Sequence, residues 1–323
     1  MSNQLLSVRD LRINFSTRSG VLRAKKILHA VDGVDVELAG NETLGIVGES
    51  GSGKSSLGRA VVGLQKPSSG SVLLHGVDRY SSGKATRGER RTAQIVFQDP
   101  FASLNPRRTV AQAISHPLQY NGLCASAAER RERVRELLAF VGLGKDDMDK
   151  YPHEFSGGQL QRACIARAIA LESELLVCDE AVSALDAIHR RHVLDLFVSL
   201  RQTLGLAYLF ISHDVAAVRE TSDRIAVMHL GSFVEVAATP RLTTTPRHPY
   251  TQALLAAIPL SDPRQERART PLLLSGDPPS PLDPPSGCSF RTRCPRACEK
   301  CRSEKPVLRE IENGHSVACH LVN

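Results

Sequence analysis

The residues with the clearest chemistry in this 323-residue chain lie in the stretch GESGSGKSS, at positions 48–56. It contains the pattern G-x-x-x-x-G-K-[ST], in which glycines allow successive backbone N–H groups to point at phosphate oxygens. Lys54 can reach the β- and γ-phosphates of a nucleotide, and the Ser55 hydroxyl can bind Mg²⁺. An ordinary glycine turn is the alternative, but the apolar run before the motif and the helical pattern after it favour a phosphate loop. This interpretation assigns nucleotide binding to Gly48, Glu49, Ser50, Gly51, Ser52, Gly53, Lys54, Ser55 and Ser56.

Two carboxylates follow the apolar stretch LLVC at positions 175–178. Asp179, at the end of this strand, can hold Mg²⁺, and Glu180 can orient and polarise an attacking water. An acid after an apolar run is often only a strand end that meets solvent. Behind a phosphate loop, the pair predicts a magnesium site shared with Ser55 and a catalytic role for Glu180.

A second glycine turn occurs in FSGGQ at positions 155–159. A serine and two glycines precede a helical pattern there, and such a helix start presents free backbone N–H groups to an anion. Unlike the first motif, it has no lysine. The chain therefore carries two candidate phosphate-binding turns of different chemistry.

The strands and helices that must position these motifs can be predicted from the apolar pattern. Alternating apolar residues in 11–15 and 34–38 indicate an antiparallel strand pair with one buried face. The apolar stretches LGIV, LLVCD, AYLFIS and RIAVMH, with helical patterns between them, indicate an α/β fold with a parallel sheet. A mostly helical insert is predicted from about 106 to 165, where four apolar residues recur at helical spacing: Val134, Leu137, Leu138 and Val141.

Five motifs occur in a fixed order along the chain. They are GESGSGKSS, Gln98 after the strand QIVF, FSGGQLQR, LLVCDE with SALD, and His213 in ISHD. Over about residues 5–255 the chain therefore resembles the ATP-binding subunit of an ABC transporter. The resemblance implies a P-loop nucleotide-binding domain at 1–255, with a RecA-like α/β core, an antiparallel β subdomain and a helical subdomain at about 106–165. An extension at 256–323, rich in proline and cysteine, would follow.

The resemblance also accounts for the second glycine turn. In this family two chains pack head to tail, and each ATP lies between the phosphate loop of one chain and the signature turn of the other. The signature turn here would contact a nucleotide that the partner holds. Its residues are Ser156, Gly157, Gly158 and Gln159.

Four further roles follow from the resemblance alone. Gln98 would contact Mg²⁺ or the attacking water, and His213 would hold the γ-phosphate. Asp186 of SALD would lie across the seam between the two chains. Phe15 is the candidate to stack on adenine, although a core position in the first strand is its alternative interpretation. Ala181 stands where the family usually has proline, but no catalytic group is lost, so an active ATPase is expected.

The C-terminal part narrows the resemblance to one class of importer. RHPYTQALL at 247–255, followed by SGDPPSPLDPPSGCSFRTRC, resembles the extension of the peptide/dipeptide/nickel importers. Taken locally, the first stretch predicts a helix start with Pro249 in the first turn and Tyr250 packed. Eight of the 18 prolines lie between Pro259 and Pro285, which excludes regular helix or central strand and predicts a linker or extended arm.

Five of the eight cysteines lie between Cys288 and Cys319. In a cytosolic protein such a cluster favours metal binding over disulfides, whereas the three isolated cysteines suit packing. Zinc prefers closer spacing, although Cys298 and Cys301 form one short knuckle. Similar extensions in the family carry an iron–sulfur cluster, so a [4Fe–4S] cluster, zinc and free thiols all stay open, with Cys298 as a fifth thiol. The four candidate ligands are Cys288, Cys294, Cys301 and Cys319.

Composition adds two expectations. The net charge of +7 comes from basic residues dispersed along the chain without interleaved aromatics, so no nucleic-acid partner is expected. No apolar run approaches the roughly 18 residues that span a bilayer. Arg9, Asp10 and Arg12 also stand where a signal peptide needs apolar residues. We therefore expect a cytosolic protein that reaches the inner face of the plasma membrane through its partners.

The sequence thus favours an ATPase subunit of an importer, which couples MgATP hydrolysis to uptake of peptides or a related solute such as a dipeptide, an oligopeptide or nickel. The expected partners are two membrane permease subunits, a second ATPase of similar or identical sequence, and an extracytoplasmic solute-binding protein. An ABC ATPase that acts on nucleic acid, in repair or translation, is the alternative. Only the basic charge supports it, because the chain has neither a long coiled-coil insert nor a second ATPase domain. A non-catalytic regulatory subunit is disfavoured by the complete set of motifs.

Overall fold

The computed structural model describes residues 4–17, 26–81, 87–258, 264, 267, 276–277 and 279–322, which form two sheets with flanking helices. The strands, in chain order, are β1 (Gln4–Thr17), β2 (Lys26–Ala39), β3 (Thr43–Val47), β4 (Ser69–Leu74), β5 (Val77–Asp78), β6 (Ala93–Val96), β7 (Leu175–Asp179), β8 (Ala207–Ile211), β9 (Arg224–His229), β10 (Ser232–Ala238), β11 (Arg309–Glu312) and β12 (His315–Val317).

The helices alternate with these strands through most of the chain. They are α1 (Lys54–Val61), α2 (Arg87–Thr92), α3 (Pro100–Ser103), α4 (Val110–Asn121), α5 (Ala127–Phe140), α6 (Gly157–Ile169), α7 (Ala187–Leu204), α8 (Val215–Thr221), α9 (Thr239–Thr244), α10 (Pro249–Ala256) and α11 (Lys300–Ser303). Two 3₁₀ turns, Lys145–Asp147 and Pro152–Glu154, lie between α5 and α6.

The smaller sheet is antiparallel, with strand order β2-β1-β4-β5. Leu11 of β1 lies opposite Val34 of β2, and both side chains are buried. Arg12, the next residue, is exposed. The predicted antiparallel pair is therefore confirmed, because its alternating residues place one apolar face against the core.

The larger sheet has strand order β11-β12-β10-β9-β3-β8-β7-β6. From β9 to β6 its neighbouring strands are parallel, as the sequence predicts. Both faces of β7 are buried: Leu176 and Cys178 contact the core on the helical side, and Leu175 and Val177 contact the core beneath the small sheet. This burial on two sides explains why LLVCD is continuously apolar, since a parallel sheet is covered on both faces.

The predicted helical region contains α4 and α5 and leads into α6. Val134, Leu137 and Leu138 of α5 are buried, and Val141 caps the end of that helix. Thr109 and Gln112 form a capping box at the start of α4, so side chains satisfy two backbone N–H groups there. This part of the chain is helical for the reason that its sequence indicates: an apolar stripe and matched caps.

The C-terminal extension continues the larger sheet. β12 pairs with β10 through Glu235↔Val317, and β11 pairs with β12. The fully buried Glu235 accepts hydrogen bonds from the backbone N–H groups of Arg247 (2.7 Å) and His248 (2.9 Å), and lies 2.8 Å from Nε2 of His315. One carboxylate thus connects β10, the start of α10 and the extension.

Two further predictions concern the proline-rich segment after α10 and the lack of a membrane-spanning segment. The proline-rich arm at 259–285 lies mostly outside the described residues. In the part of the chain that the structure describes, no helix is both long and apolar enough to span a membrane.

Candidate active site

Sheet topology brings four of the predicted motifs to one edge. The phosphate loop follows β3, and Gln98 follows β6. Asp179 ends β7, Glu180 comes directly after it, and His213 follows β8. The register Val96↔Cys178 and Asp179↔Ile211 aligns the ends of these parallel strands. Ligands of open α/β sheets bind at this carboxyl edge.

Lys54 is buried and lies at the centre of the phosphate loop. Its Nζ donates to the carbonyl oxygens of Gly48 (2.8 Å) and Glu49 (2.9 Å) and lies 3.3 Å from Oγ of Ser52. Burial lowers the pKa of Lys54, while the carboxylates of Glu180, Asp179 and Glu49 act in the opposite direction. The ammonium group is thus preorganised inside a ring of oxygen atoms where a phosphate group would compete for it.

Glycine is required at position 53 by the path of the loop. Its φ is +106°, which side chains rarely adopt, and an added Cβ would lie 2.0 Å from the carbonyl oxygen of Ala30 in β2. The phosphate loop therefore packs directly on the backbone of the small sheet. Phe15, which pairs with Leu28 two residues before Ala30 in β2, is half-buried on the neighbouring strand β1.

Ser55 and Asp179 form an oxygen-rich pair suited to Mg²⁺. The Ser55 hydroxyl donates to Oδ1 of Asp179 over 2.6 Å. Burial raises the pKa of Asp179, and the hydrogen bond from Ser55 acts in the opposite direction. A partly buried hydroxyl and carboxylate are hard oxygen donors of the kind that Mg²⁺ takes alongside phosphate oxygens and water. The residues present therefore fit the ion that the fold implies.

Glu180 and His213 lie beside this pair. Nδ1 of His213 is 3.3 Å from Oε2 of Glu180. The backbone of Glu180 is in the left-handed region (φ +52°), and its N–H donates to the carbonyl oxygen of Ile211 over 2.9 Å. The β7–β8 pairing thus holds the backbone turn that aims this carboxylate. Gln98 is exposed at the same sheet edge.

The signature turn lies at the start of α6 and packs on the SALD loop. Ser156 caps the helix by accepting from the N–H of Gln159, as part of a capping box. An added Cβ at Gly158 would lie 2.5 Å from Cδ2 of His189 at the start of α7. His189 in turn lies 2.7 Å from Oδ2 of Asp186. The predicted signature and SALD residues therefore form one surface, and His189 is a member that the sequence motifs did not reveal.

Two residues in the C-terminal part of the chain, one in α10 and one in the extension, contact the phosphate loop, which the sequence did not predict. The N–H of Glu49 donates to the hydroxyl of Tyr250 (2.9 Å), which is fully buried in α10. Nη1 of Arg293 lies 2.9 Å from each carboxylate oxygen of Glu49. A stretch predicted to start a helix and a stretch between two cysteines thus reach the nucleotide motif.

Two buried histidines lie in the aromatic cluster behind this contact. His229, Tyr250 and Phe290 pack with ring centroids 4.7–5.6 Å apart, and His248 lies 5.7 Å from Phe290. Burial is the main cause that lowers the pKa of His229 to about 4 and of His248 to about 3. The folded protein therefore keeps both imidazoles neutral.

This burial predicts acid-sensitive stability. Because the folded pKa values lie below the unfolded value of about 6.5, the unfolded chain binds more protons between those limits. The contribution of each neutral histidine to the free energy of unfolding is complete above about pH 6.5. Between that pH and pH 5, the free energy of unfolding should fall by on the order of 1–2 kcal/mol for each histidine. Denaturant unfolding at pH 7.5, 6 and 5 measures the loss. His248→Asn keeps a capping acceptor for the N–H of Tyr250 without the titration, so an equally steep pH dependence in this variant would contradict the assignment.

The cysteines of the extension lie in one neighbourhood. Burial raises the pKa of Cys288 to about 11, and the charges of Cys301, Cys319 and Cys294 act in the same direction. The sulfur atoms of Cys298 and Cys301 are 3.5 Å apart. Among the described residues, no three histidine, cysteine or carboxylate side chains are arranged to hold a metal ion. Cys164 and Cys178 are buried packing residues, as expected, whereas Cys124 is only half-buried.

Comparison with known proteins decides the family. The model of the family described as ABC transporter matches residues 31–183, and that of the oligopeptide/dipeptide transporter C-terminal region matches 234–301. The oligopeptide transport ATP-binding protein AppF of Bacillus subtilis (strain 168) is 47% identical over 98% of this chain and 97% of its own. The chain belongs to the ABC transporter ATP-binding proteins. Another relative, oligopeptide transport ATP-binding protein OppF of Haemophilus influenzae, is 45% identical over 98% of this chain and 96% of its own.

Solved structures agree with the fold of this ABC ATPase. The ATP-binding cassette MJ0796, in a dimeric post-hydrolysis state with ADP and Pi, has a TM-score of 0.64 and 25% identity over 73% of this chain and 99% of its own. CbiO1 of Clostridium perfringens, part of the transporter complex cbiONQ, has a TM-score of 0.63 and 28% identity over 76% of this chain and 92% of its own. The predicted ABC-type P-loop fold is confirmed.

Proposed function

We propose that this ABC ATPase works at the cytoplasmic face of the membrane and drives the import of peptides through partner permease subunits. The observation that carries the proposal is the union, in one chain, of a phosphate-loop site with the C-terminal region of oligopeptide/dipeptide transporters. Relatives named for oligopeptide transport, which align over 98% of the chain, support the same solute class. The solute-binding protein and the permeases would select the peptide.

Hydrolysis is assigned to the carboxyl edge of the sheet. Ser55 and Asp179 would hold Mg²⁺, which supplies positive charge against the phosphates when bound. Lys54 would exchange its carbonyl partners for phosphate oxygens. Glu180 would take the proton of the attacking water. His213, whose Nδ1 lies 3.3 Å from the Glu180 carboxylate, would bind the γ-phosphate and so keep it close to that carboxylate. Gln98, exposed beside them, would touch the water or Mg²⁺ and sense the permease.

A second ATPase chain would complete the site. The signature turn and the SALD loop form one surface around His189, which suits contact with a facing chain. Ser156, Gly157 and Gly158 would bind the γ-phosphate of the partner's ATP. Charged hydrogen bonds contribute about 1.5–3 kcal/mol each, and a two-state switch from 1:99 to 99:1 needs about 5.5 kcal/mol. Loss of two or three such bonds on hydrolysis would therefore open the pair.

The permeases would dock beside Gln98. Two adjoining cavities of about 530 and 570 Å³ share Leu64, Gln94 and Ile95 as lining residues. Their described lining includes five cationic side chains and no carboxylate. A short cytoplasmic helix with acidic residues would complement this groove. The cationic residues are Lys66, Arg79, Arg90, Arg108 and Arg167.

The thiols are proposed to hold an iron–sulfur cluster rather than zinc. A single zinc ion needs all its sulfur ligands about 2.3 Å from one point, an arrangement that the described thiols lack. A polynuclear cluster binds each thiolate on a different iron and so accepts wider spacing. Cys288 is close enough to Cys294, Cys301 and Cys319 for their charges to raise its pKa, which supports a shared site for the four thiols. Iron and sulfide analysis of anaerobically purified protein tests it; stoichiometric zinc without iron would refute it.

Reconstitution tests the proposed transport function. The full chain, its copurifying ATPase and permeases, and the solute-binding protein are placed in proteoliposomes. Peptide with binding protein should raise ATP hydrolysis several-fold and produce ATP-dependent uptake of labelled peptide. Glu180→Gln is the matched negative control. Two results would contradict peptide import: stimulation of ATP hydrolysis by nickel, or the failure of every peptide in a mixed-sequence library to stimulate it.

A further inference from the structure

Arg293 joins the C-terminal extension to the phosphate loop although 244 residues separate it from Glu49. Only 8% of the Arg293 side chain is exposed, and its Nη1 contacts both carboxylate oxygens of Glu49 at 2.9 Å. Its buried Nε has no hydrogen-bond partner. The extension therefore places a buried cation against the second residue of the nucleotide motif.

Fold stability alone does not explain this arrangement. The Arg293 side chain is 8% exposed and that of Glu49 is 31% exposed, so forming the pair removes water mainly from the arginine. The attraction within such a pair often fails to exceed that loss. An unpaired Nε adds a further penalty, because buried donors are normally satisfied. An apolar pair would fill the same space without either penalty. A role in the site that Glu49 belongs to is the better explanation.

Three groups of Glu49 are held in place. Its carboxylate contacts Arg293, its N–H donates to Tyr250, and its carbonyl oxygen accepts from Lys54 over 2.9 Å. Farther along the same loop, Gly51 and Gly53 have positive φ angles and little intrinsic conformational preference. Ties from outside the loop help to hold its shape. The N–H of Gly231 donates to the carbonyl oxygen of Ser52 over 2.9 Å, and the two external ties on Glu49 come from residues after 245.

The loop that carries Arg293 is itself fixed. The N–H of Arg293 donates to the carbonyl oxygen of Phe290 over 3.1 Å, and Phe290 is buried against His229, His248 and Tyr250. Ser289 also lies 3.1 Å from Nδ1 of His229 at the end of β9. Arg293 therefore reaches Glu49 from a rigid platform.

We propose that Arg293 is a positioning residue of the ATP site, which makes the extension part of nucleotide binding. It neutralises Glu49 in the loop that must receive a polyphosphate, and it holds that loop in its binding shape. The affinity for ATP consequently depends on how the extension is docked. The inference rests on ATP binding by this chain and not on peptide import, so failure of transport would leave it intact.

The charges give the proposal a specific signature. Without Arg293, the Glu49 carboxylate would repel the nucleotide phosphates; without Glu49, the buried Arg293 cation would attract them. Arg293→Met should therefore weaken ATP binding about tenfold, and Glu49→Gln should strengthen it about threefold. The double variant should fall between them. The change in affinity that each substitution causes should be largest for ATP, smaller for ADP and smallest for AMP. It should also become smaller at high salt.

Isothermal titration of the full chain with each nucleotide, in EDTA to prevent turnover, measures these affinities. Arg291→Met is the matched control, since Arg291 lies in the same turn but donates to the carbonyl oxygen of Ser286. Its affinities should match those of the wild type. A role confined to folding would make Arg293→Met and Glu49→Gln change affinity in the same direction, equally for all three nucleotides, and this result would overturn the proposal.

A folding defect in Arg293→Met would still leave a decisive comparison. Arg293→Lys keeps the charge and should bind ATP within about threefold of the wild type, with the affinity graded by phosphate number. Glu49→Gln should still bind ATP more tightly. Weaker ATP binding in Glu49→Gln, or unchanged binding in a folded Arg293→Met chain, would refute the assignment.

Discussion

Glu180→Gln should reduce ATP hydrolysis about 10²- to 10⁴-fold, the range that a positioned general base contributes. The amide cannot accept the proton of the attacking water, but its size and its contact with His213 are preserved. ATP binding should persist, because Lys54 and the phosphate loop are unchanged. Turnover of the purified chain with its partner ATPase, together with nucleotide titration, measures both quantities.

Glu174→Gln is the control for this substitution. Glu174 precedes β7, is about half exposed and pairs with His75 on the surface. Its substitution therefore makes the same chemical change, carboxylate to amide, outside the site. Its turnover should match that of the wild type. If Glu180→Gln hydrolyses ATP at the normal rate, the carboxylate is not the base and another group at the sheet edge must take that role.

Ser156→Ala should weaken ATP-dependent pairing of ATPase chains about ten- to a hundred-fold, since a charged hydrogen bond to the partner's γ-phosphate contributes about 1.5–3 kcal/mol. Hydrolysis should fall with it, while each separate chain should still bind ATP through its own phosphate loop. Sedimentation with ATP in the Glu180→Gln background, where turnover is blocked, measures the paired fraction.

Ser126→Ala controls for the helix cap that the first change also removes. Ser126 caps α5 by accepting from the N–H of Glu129 (3.1 Å), as Ser156 caps α6. Each loss should cost about 1 kcal/mol of stability, but only Ser156→Ala should affect pairing. Full hydrolysis by a Ser156→Ala chain that stays monomeric throughout turnover would disprove the shared site.

The parts of the fold that the sequence predicts well are those governed by local periodicity. The alternation of Leu11 and Ile13, the continuously apolar run at 175–178 and the helical spacing of Val134 and Leu137 each report which faces are buried. Neighbouring residues alone determine these patterns. The order of strands in the sheets could come only from the resemblance, because strand pairing joins residues that are distant in the chain.

The site residues, like the fold, divide into those that a local pattern predicts and those that it does not. Lys54, Ser55, Asp179 and Glu180 are recognisable because their chemistry needs fixed residue types at fixed spacing, and the structure brings them to one edge. Their catalytic roles stay predictions, as does the stacking of Phe15 on adenine. The division of the chain near residue 255 likewise stays a prediction.

Arg293, Tyr250 and His189 were missed for a physical reason. Each acts through a contact whose partner lies in another element: Glu49 for the first two, and Gly158 for the third. No local pattern encodes such pairs. The one available signal is the pair of stretches RHPYTQ and CSFRTRC, which carry the resemblance to the importer extension but do not indicate that Tyr250 and Arg293 contact the phosphate loop.

The short hairpin of β11 and β12 also has a consequence for solubility. Without it, the apolar strand β10 would be the outer strand of the large sheet, and its unpaired backbone could recruit strands from other molecules. The hairpin replaces that border with β11, a four-residue strand of sequence REIE whose charged side chains are exposed. Short, charged border strands resist self-association. The hairpin pairs with β10 at Glu235 and Val236, and we expect it to lower the tendency of the ATPase to aggregate, whether or not any solute is being moved.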